Sequence, residues 1–449
     1  MSILNARIAK GIKLETMDTV HISHNCIIKS IKKLNAGKSD GNLGFDSDHI
    51  IHACNRLHIM ISMLFNMMLC HGHTPSDLLA ATIISIPKDA KASLCRDDNY
   101  RGIALCSALC KLLDLVIIDM YKPELETSYL QFGFKECHST VMCTSVYTET
   151  INYYVNKNSN VYSCLLDASK AFDRVHYGKL FNILIDRNVP CTIVRLLLDS
   201  YIRQELCINW DNYKSQYFTV SNGVKQGGVL SPILFTLYID DLLIQLQKSN
   251  LGCNFNGIYA GVLGYADDLT LLSPSLHALN RMIHICENYA KEYDIAFNAK
   301  KTMCIKYGEN VNQFDTALLN GAPIEWFNQV RHLGNIVCSD LSDRADCDKK
   351  CSVFIGYFNK LTANFSNLPR VVLSKLFKSF CCSFYGSQLW NFNSSGFQKC
   401  CIAWNKAVRR LLNLPMKTHT WMLGPVMDQL HIKEQLYVKS LKFVYTMMN

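Results

Sequence analysis

Two stretches decide how this sequence is read: GYADDLTLL, Gly264–Leu272, and VYSCLLDASKAFDRVHYGKL, Val161–Leu180. In each, a run suited to a buried strand ends in acid. Val161–Leu166 runs into Asp167, and Gly261–Ala266 runs into Asp267–Asp268. Adjacent carboxylates between apolar flanks make a poor core, because like charges a few ångströms apart cost free energy unless a cation neutralises them. For the Asp-Asp pair alone, a hairpin tip in water is explanation enough. A third carboxylate at the end of another apolar strand changes the balance. Three such groups at adjacent strand ends offer the oxygen ligands that hard divalent ions take, with room for water and phosphate. Two ions about 4 Å apart activate an attacking hydroxyl and stabilise the leaving oxygen in an in-line displacement at phosphorus. The pattern predicts nucleotidyl-transfer chemistry, which polymerases, nucleases and nucleotide cyclases share.

Long helical stretches separate the acids, notably Lys179–Asp186, Thr192–Arg203 and Ser231–Leu246, so strands alternate with helices and an α+β or α/β core is expected. Upstream, residues 49–70 read as one helix, because Ile50, Ile51, Cys54, Leu57, Met60 and Ile61 recur at helical spacing before His71–Gly72. Thr82–Ile86 reads as a short buried strand stopped by Pro87. After about residue 341 strand signals fade and helical patterns take over, as in Ser374–Phe384 and Gln398–Leu412. The expected division is therefore a mostly helical extension over 1–80, a central domain over 81–340 and a helical region over 341–449.

Composition narrows the class. With 449 residues, 49% of them apolar, the chain can bury a large core, and no repeat or low-complexity tract suggests a solenoid or a disordered chain. No apolar run reaches the roughly 20 residues that cross a bilayer, and the first residues lack the order of a signal peptide, so an intracellular protein without a membrane partner is expected. The 21 cysteines are scattered through apolar segments such as those holding Cys106, Cys110 and Cys164, and no paired Cys/His knuckle of zinc spacing occurs; reduced, buried thiols are expected. Residues 341–449 carry 15 Lys/Arg against 5 Asp/Glu, so the net charge of +9 lies in the last quarter. A phosphate backbone is the natural partner of such a segment, a solvated helical surface being the plainer explanation.

Around the acids, further motifs follow in a fixed order. LNAGKSDG (Leu34–Gly41), SIPKD (Ser85–Asp89), DNYRGIALCSALCKLLD (Asp98–Asp114) and QFGFKECHST (Gln131–Thr140) come first. LLDASKAFDRVH (Leu165–His176), NGVKQGGVLSPILFTLYIDDL (Asn222–Leu242), YADD (Tyr265–Asp268), FNAKKT (Phe297–Thr302), HLGNIV (His332–Val337) and AWNKAVRRLLNLP (Ala403–Pro415) follow. In this order the chain resembles the reverse transcriptases of non-LTR, LINE-type retrotransposons along nearly its whole length.

The resemblance implies a right-hand polymerase: fingers, a palm whose antiparallel strands carry the acids, and a basic helical thumb. It implies that Asp167, Asp267 and Asp268 hold two magnesium ions, manganese being the alternative, with the Ala168 carbonyl as a further ligand. Phe172, five positions after Asp167, is placed to crowd the sugar 2′ position and favour deoxynucleotides, where core packing is the bland explanation. Arg101 and Lys88 are expected on the incoming triphosphate, since charged donors suit phosphate oxygens, rather than as plain exposed charges. Gln226 with Gly227 and Gly228 lets the backbone approach the template–nucleotide pair. Lys301 is the candidate general acid for pyrophosphate departure, beside Lys300, and Tyr265 is expected near the primer end. Trp404, Lys406, Arg409 and Arg410 interleave aromatic and basic groups as nucleic-acid surfaces do, though helical spacing also makes Trp404 a core candidate.

The implied partners are template RNA, primer DNA and deoxynucleoside triphosphates, in the nucleus and cytoplasm, with a nicked chromosomal end as primer. YRGI stands where many relatives carry YRPI, leaving Arg101 in place. The chain starts near the polymerase signature and ends without a terminal Cys/His knuckle, so a polymerase core separate from its nuclease is expected. The competing expectations are a catalytically idle remnant that at most binds RNA, against which the intact acids count, and a group II intron-type or telomerase-like relative, which would carry extra RNA-binding domains.

Overall fold

The computed structural model describes residues 1–15, 20–38, 44–89, 91–211, 213–308, 316–365 and 367–448. Within these the chain folds as two compact units that interleave in sequence, Met1–Phe134 with Ala168–Gln245 and Ile285–Phe297, and Lys135–Asp167 with Leu246–His284 and Asn298–Asn449. Both mix helices with sheets, so the expected α+β class holds.

In the first unit, helices occupy the chain up to Leu79 and a sheet then begins at Ala80. Its strand order is Tyr100–Leu105, Ala80–Pro87, Glu205–Trp210 and Tyr213–Lys214, antiparallel, then parallel, then antiparallel, with Phe218–Thr219 also on Glu205–Trp210. The helix Ser231–Lys248 is apolar almost all round, and Leu234, Phe235, Leu237, Tyr238, Leu242 and Leu243 are all buried, as a central helix requires.

The single helix expected over 49–70 is two helices. Ser47–Ile51 is closed by the His52 N–H donating to Asp48, and Asn55–His71 starts afresh after Cys54, whose backbone is extended. Met60 consequently faces solvent, with Ile59, Met63 and Met67, while Ile61, Phe65, Met68 and Leu69 face the core. The stop was legible: the second helix ends at His71 with Gly72 left-handed at φ +63°. Residues 39–41 of the LNAGKSDG motif lie outside the described residues.

The second unit is built on a five-stranded sheet in the order Glu325–Phe327, Met303–Tyr307, Val161–Leu166, Asp268–Ser273 and Val262–Tyr265. Val161–Leu166 lies in its middle and is antiparallel to both neighbours, which is why nearly all of it is apolar and buried. The helix Thr140–Val155 joins the sheet through Tyr147, whose hydroxyl meets Ser163 Oγ at 3.2 Å and the Tyr307 hydroxyl at 2.8 Å. Val262–Tyr265 and Asp268–Ser273 form a hairpin, and Gln329–His332 with Asn335–Cys338 form a second, separate one.

From Arg344 onward this unit is helical: Arg344–Phe365, Arg370–Phe380, Ser395–Leu411, Thr420–Val426 and Ile432–Met448. The helix expected over Ser374–Phe384 begins earlier and ends at Phe380. These helices enclose a core of Phe354, Phe358, Phe377, Phe397 and Trp404. All 21 cysteines are free thiols and twelve are buried, as expected. Among the described residues no helix is long and apolar enough to cross a membrane.

Candidate active site

The register of the second sheet brings its acids to one end. Leu269 pairs with Leu166 as the last rung of the antiparallel ladder, so Asp268 and Asp167, the next residue on each strand, both lie at that end of the sheet. Asp268 in turn pairs with Tyr265, which leaves Ala266 and Asp267 as a two-residue hairpin turn. Ala266 takes φ +56°, a left-handed conformation that costs a residue with a Cβ some strain and is found where a turn must be tight. The turn is what carries Asp267 out of the sheet.

The turn after the Phe297 motif reaches the same place. The Asn298 N–H donates to the Asp167 carbonyl at 2.9 Å, and the N–H groups of Lys301 and Thr302 fold back on the Asn298 carbonyl at 3.1 and 2.9 Å. Thr302 Oγ1 accepts from the Asp167 N–H at 3.5 Å. Lys301 Nζ thereby lies 3.9 Å from an Asp167 carboxylate oxygen.

Asp268 feels the crowding. Desolvation of its carboxyl at the sheet end, followed by the charges of Asp267 and Asp167, pushes its pKa up to about 6 although the residue's outer edge is exposed. Among the described residues no three His, Cys, Asp or Glu side chains are gathered into a preformed metal cage. Asp267 and Asp167 are thus near enough to oppose the ionisation of Asp268 without the three being gathered into a cage. An all-oxygen set of this kind still fits magnesium, which takes one or two carboxylates and completes its shell from water and phosphate.

Beside Asp268 opens a cavity of about 540 Å³ lined by Thr140, Tyr265, Arg331, Leu333, Gly334 and Tyr385. Tyr265 is half-buried there. Arg331 and Tyr385 were missed in the sequence. Arg331 immediately precedes the HLGNIV motif, a usable signal; Tyr385 lies where a helix was expected to have just ended, and nothing local marks it. Its hydroxyl bonds the Leu333 carbonyl at 3.1 Å and also Thr140 Oγ1, and its ring covers Gly334, where an added Cβ would fall 2.9 Å from it. His332 of the same hairpin is a core residue, stacked on Tyr147 at 4.5 Å and bonded to Thr144 Oγ1 at 2.9 Å.

The first unit holds the residues expected on nucleotide and template. Arg101 is exposed on the strand Tyr100–Leu105, across from Ile86, and among the described residues no carboxylate pairs with it. Lys88 is exposed as well, but its Nζ donates to the Asp98 carbonyl at 2.8 Å and so braces its own hairpin loop. The Gln226 carbonyl accepts from the Ala104 N–H at 2.6 Å, while Gln226 Nε2 donates to Asp173 at 3.0 Å. Gly227 has φ +112°, and a Cβ there would sit 2.6 Å from the Ala104 carbonyl oxygen, so only glycine lets this loop lie on the strand. Phe172 is half-buried and stacks on Phe235 with ring centres 4.6 Å apart. Ala168 is placed by an isolated antiparallel bridge to Phe297.

The basic patch needs correction. Trp404 is 0% exposed, packed near Phe377 and edge-on to His431 at 4.9 Å, so it belongs to the core and offers no face to a base. Arg409 donates through Nε and an Nη to the Thr418 carbonyl at 3.2 and 2.7 Å and holds a loop. Lys406 and Arg410 are exposed, the Arg410 guanidinium lying 5.7 Å from the Phe358 ring.

Asp167 and Asp268 thus stand at one end of a mixed sheet, with Asp267 in the hairpin turn and Lys301 beside Asp167, and the family model of reverse transcriptase (RNA-dependent DNA polymerase) matches residues 86–337. The chain belongs to that family. It is 25% identical over 383 residues to the RNA-directed DNA polymerase from mobile element jockey of Drosophila melanogaster, covering 80% of this chain and 40% of that one. It is 29% identical over 243 residues to the Pol polyprotein of type-1 retrotransposable element R2 of Popillia japonica, covering 53% and 33%. These are non-LTR elements, the group the motif order resembles. The chain spans between about a quarter and two fifths of the length of such relatives. Among solved structures it is similar to telomerase from Candida tropicalis in complex with a TWJ fragment of telomeric RNA, with a TM-score of 0.43 and 11% identity over 85% of this chain and 68% of that one.

Proposed function

We propose that this chain extends a primer 3′ end with deoxynucleotides on an RNA template. The observation that carries the reading is the placement of Asp167 and Asp268 just past the Leu166–Leu269 rung, with Asp267 in the adjoining turn. Two magnesium ions, when held by Asp167, Asp267 and Asp268, supply activation of the primer hydroxyl and stabilisation of the departing pyrophosphate. Lys301, tethered by its turn beside Asp167, is the group able to donate a proton to that leaving group. Arg101 offers the triphosphate a guanidinium that no carboxylate among the described residues pairs with, and Lys88 can join it by leaving the Asp98 carbonyl. Phe172 presents a ring whose tilt is fixed by Phe235, as exclusion of a 2′ hydroxyl requires. Tyr265, Arg331 and Tyr385 line the space beside Asp268 in which a primer end would sit.

In its element this activity would serve target-primed reverse transcription, in the nucleus and cytoplasm, with a nicked chromosomal end as primer. The test is primer extension on an RNA template with magnesium and deoxynucleotides, comparing the chain with Asp267→Asn. Extension by the unaltered chain alone is the expected result. Equal extension by both, or none by either, would reject the assignment and favour an idle, RNA-binding remnant.

A further inference from the structure

We infer that Asp114 is a positioning residue for the nucleotide site, anchoring the loop that carries Gln226 and Gly227; the inference rests on the polymerase reading above. Asp114 belongs to the helix Ala108–Met120; its carboxylate accepts the Leu230 N–H at 3.2 Å, and the neighbouring Val229 N–H also favours its charged form. Those two N–H groups immediately precede the helix Ser231–Lys248. Desolvation pushes the Asp114 pKa up to about 6, opposed by the charge of Lys225 and by the two N–H donors. Placing a carboxylate there costs free energy that a neutral side chain would avoid, and the cost is offset only where the helix start and Lys225 compensate it.

What the anchor secures is the loop 223–230. At its start, the Gly223 N–H donates to the Val175 carbonyl and the Val224 N–H to the Phe172 carbonyl, both at 2.8 Å. In its middle, the Gln226 carbonyl is held by Ala104 and Gly227 lies against the same strand that carries Arg101. At its end stands Asp114. Slack at the Asp114 end would move Gln226 along the strand and loosen the segment of Phe172. Asp167, Asp267, Asp268 and Lys301 belong to the other compact unit. A plain helix cap would affect stability alone, whereas a positioning residue should affect how the incoming nucleotide is held.

The test is steady-state primer extension with Asp114→Asn, which keeps an acceptor oxygen and removes the charge. The expected result is a roughly tenfold rise in KM for deoxynucleotides, the weight of one hydrogen bond to a charged group. With it, kcat should stay within about twofold, primer–template affinity should hold, and the preference for deoxynucleotides over ribonucleotides should fall. Unchanged KM and sugar preference in a variant that merely melts earlier would overturn the inference, as would kcat, KM and template affinity worsening together. Should Asp114→Asn not fold, Asp114→Glu, which keeps the charge but shifts it by one methylene, gives the same two readings. Absence of extension by the unaltered chain would overturn the polymerase reading and this inference with it; extension with unchanged KM would overturn this inference alone.

Discussion

Lys301 Nζ lies 3.9 Å from a carboxylate oxygen of Asp167, so the first acid of the site is paired with a cation of its own chain. Both side chains are well exposed, at 68% and 38%, and such pairs add little to stability in water. A residue held at an acid without stabilising the fold is a candidate for chemistry. Lys301→Ala should therefore lower the single-turnover rate of extension by about a hundredfold or more, the usual weight of a general acid. The melting temperature should hardly move. A rate unaffected by the substitution would leave Lys301 as a solvated surface charge like Lys300.

How much of this was legible depends on what sets each feature. Val161–Leu166 was readable to the residue because a strand in the middle of a sheet is apolar throughout and its end is marked by Asp167. The Asp267 turn was readable from an apolar run that ends in paired acids, although Val262–Tyr265 is an edge strand. The break at 52–54 was not, because the apolar spacing of Ile50, Ile51, Cys54 and Leu57 runs through it, and the break is made by backbone geometry at Cys54 that spacing does not report. Trp404 was misplaced because basic neighbours on a helix say nothing about which face the ring takes; Phe377 and His431, distant in sequence, decide it. The strand Met303–Tyr307 was missed because its partners, Val161–Leu166 and Glu325–Phe327, come from both sides of it in sequence.

If the proposed site holds magnesium, Asp268 makes that binding pH-dependent. Its pKa of about 6 lies above the ordinary 3.8, so the folded chain holds this proton more tightly than the unfolded one. Its contribution to stability is therefore favourable when protonated and is lost as pH rises through about 6. Magnesium held at the proposed site would relieve that by neutralising the charge. Magnesium should thus raise the melting temperature more at about pH 8 than at about pH 5, either side of this titration, and Asp268→Asn should abolish the difference. Equal stabilisation at both pH values, or a difference that survives in the variant, would place the bound ion elsewhere.

His332 titrates in the opposite sense. Burial holds its pKa down at about 4 against an ordinary 6.5, so the unfolded chain takes up the proton first. Its stabilising effect is complete above pH 6.5 and is lost as pH falls through 4, a difference on the order of 3 kcal/mol across that window. Unfolding of the chain and of His332→Gln, followed by urea titration from about pH 7 to about pH 4, should show stability falling faster in the unaltered protein. Parallel falls would mean that His332 is not the group responsible.

The last helices allow core and surface to be separated at one place. Trp404 is enclosed by Phe377 and His431, so Trp404→Ala should cost about 3–5 kcal/mol through the cavity it leaves. Below its lowered melting temperature, that variant should bind RNA as before. Lys406 and Arg410 are exposed one helical turn apart on Ser395–Leu411, in the quarter of the chain that holds all of its excess charge. Replacing both with Gln should leave stability almost unchanged and weaken RNA binding. It should also make the salt dependence shallower, by about 0.7 in log–log slope for each phosphate of a single strand that is no longer neutralised. Since Arg409 is spent on the Thr418 carbonyl, Arg409→Gln should resemble the tryptophan variant in stability rather than the surface pair in binding. If the surface pair leaves both affinity and salt slope untouched, this helix is not where the positive charge meets RNA.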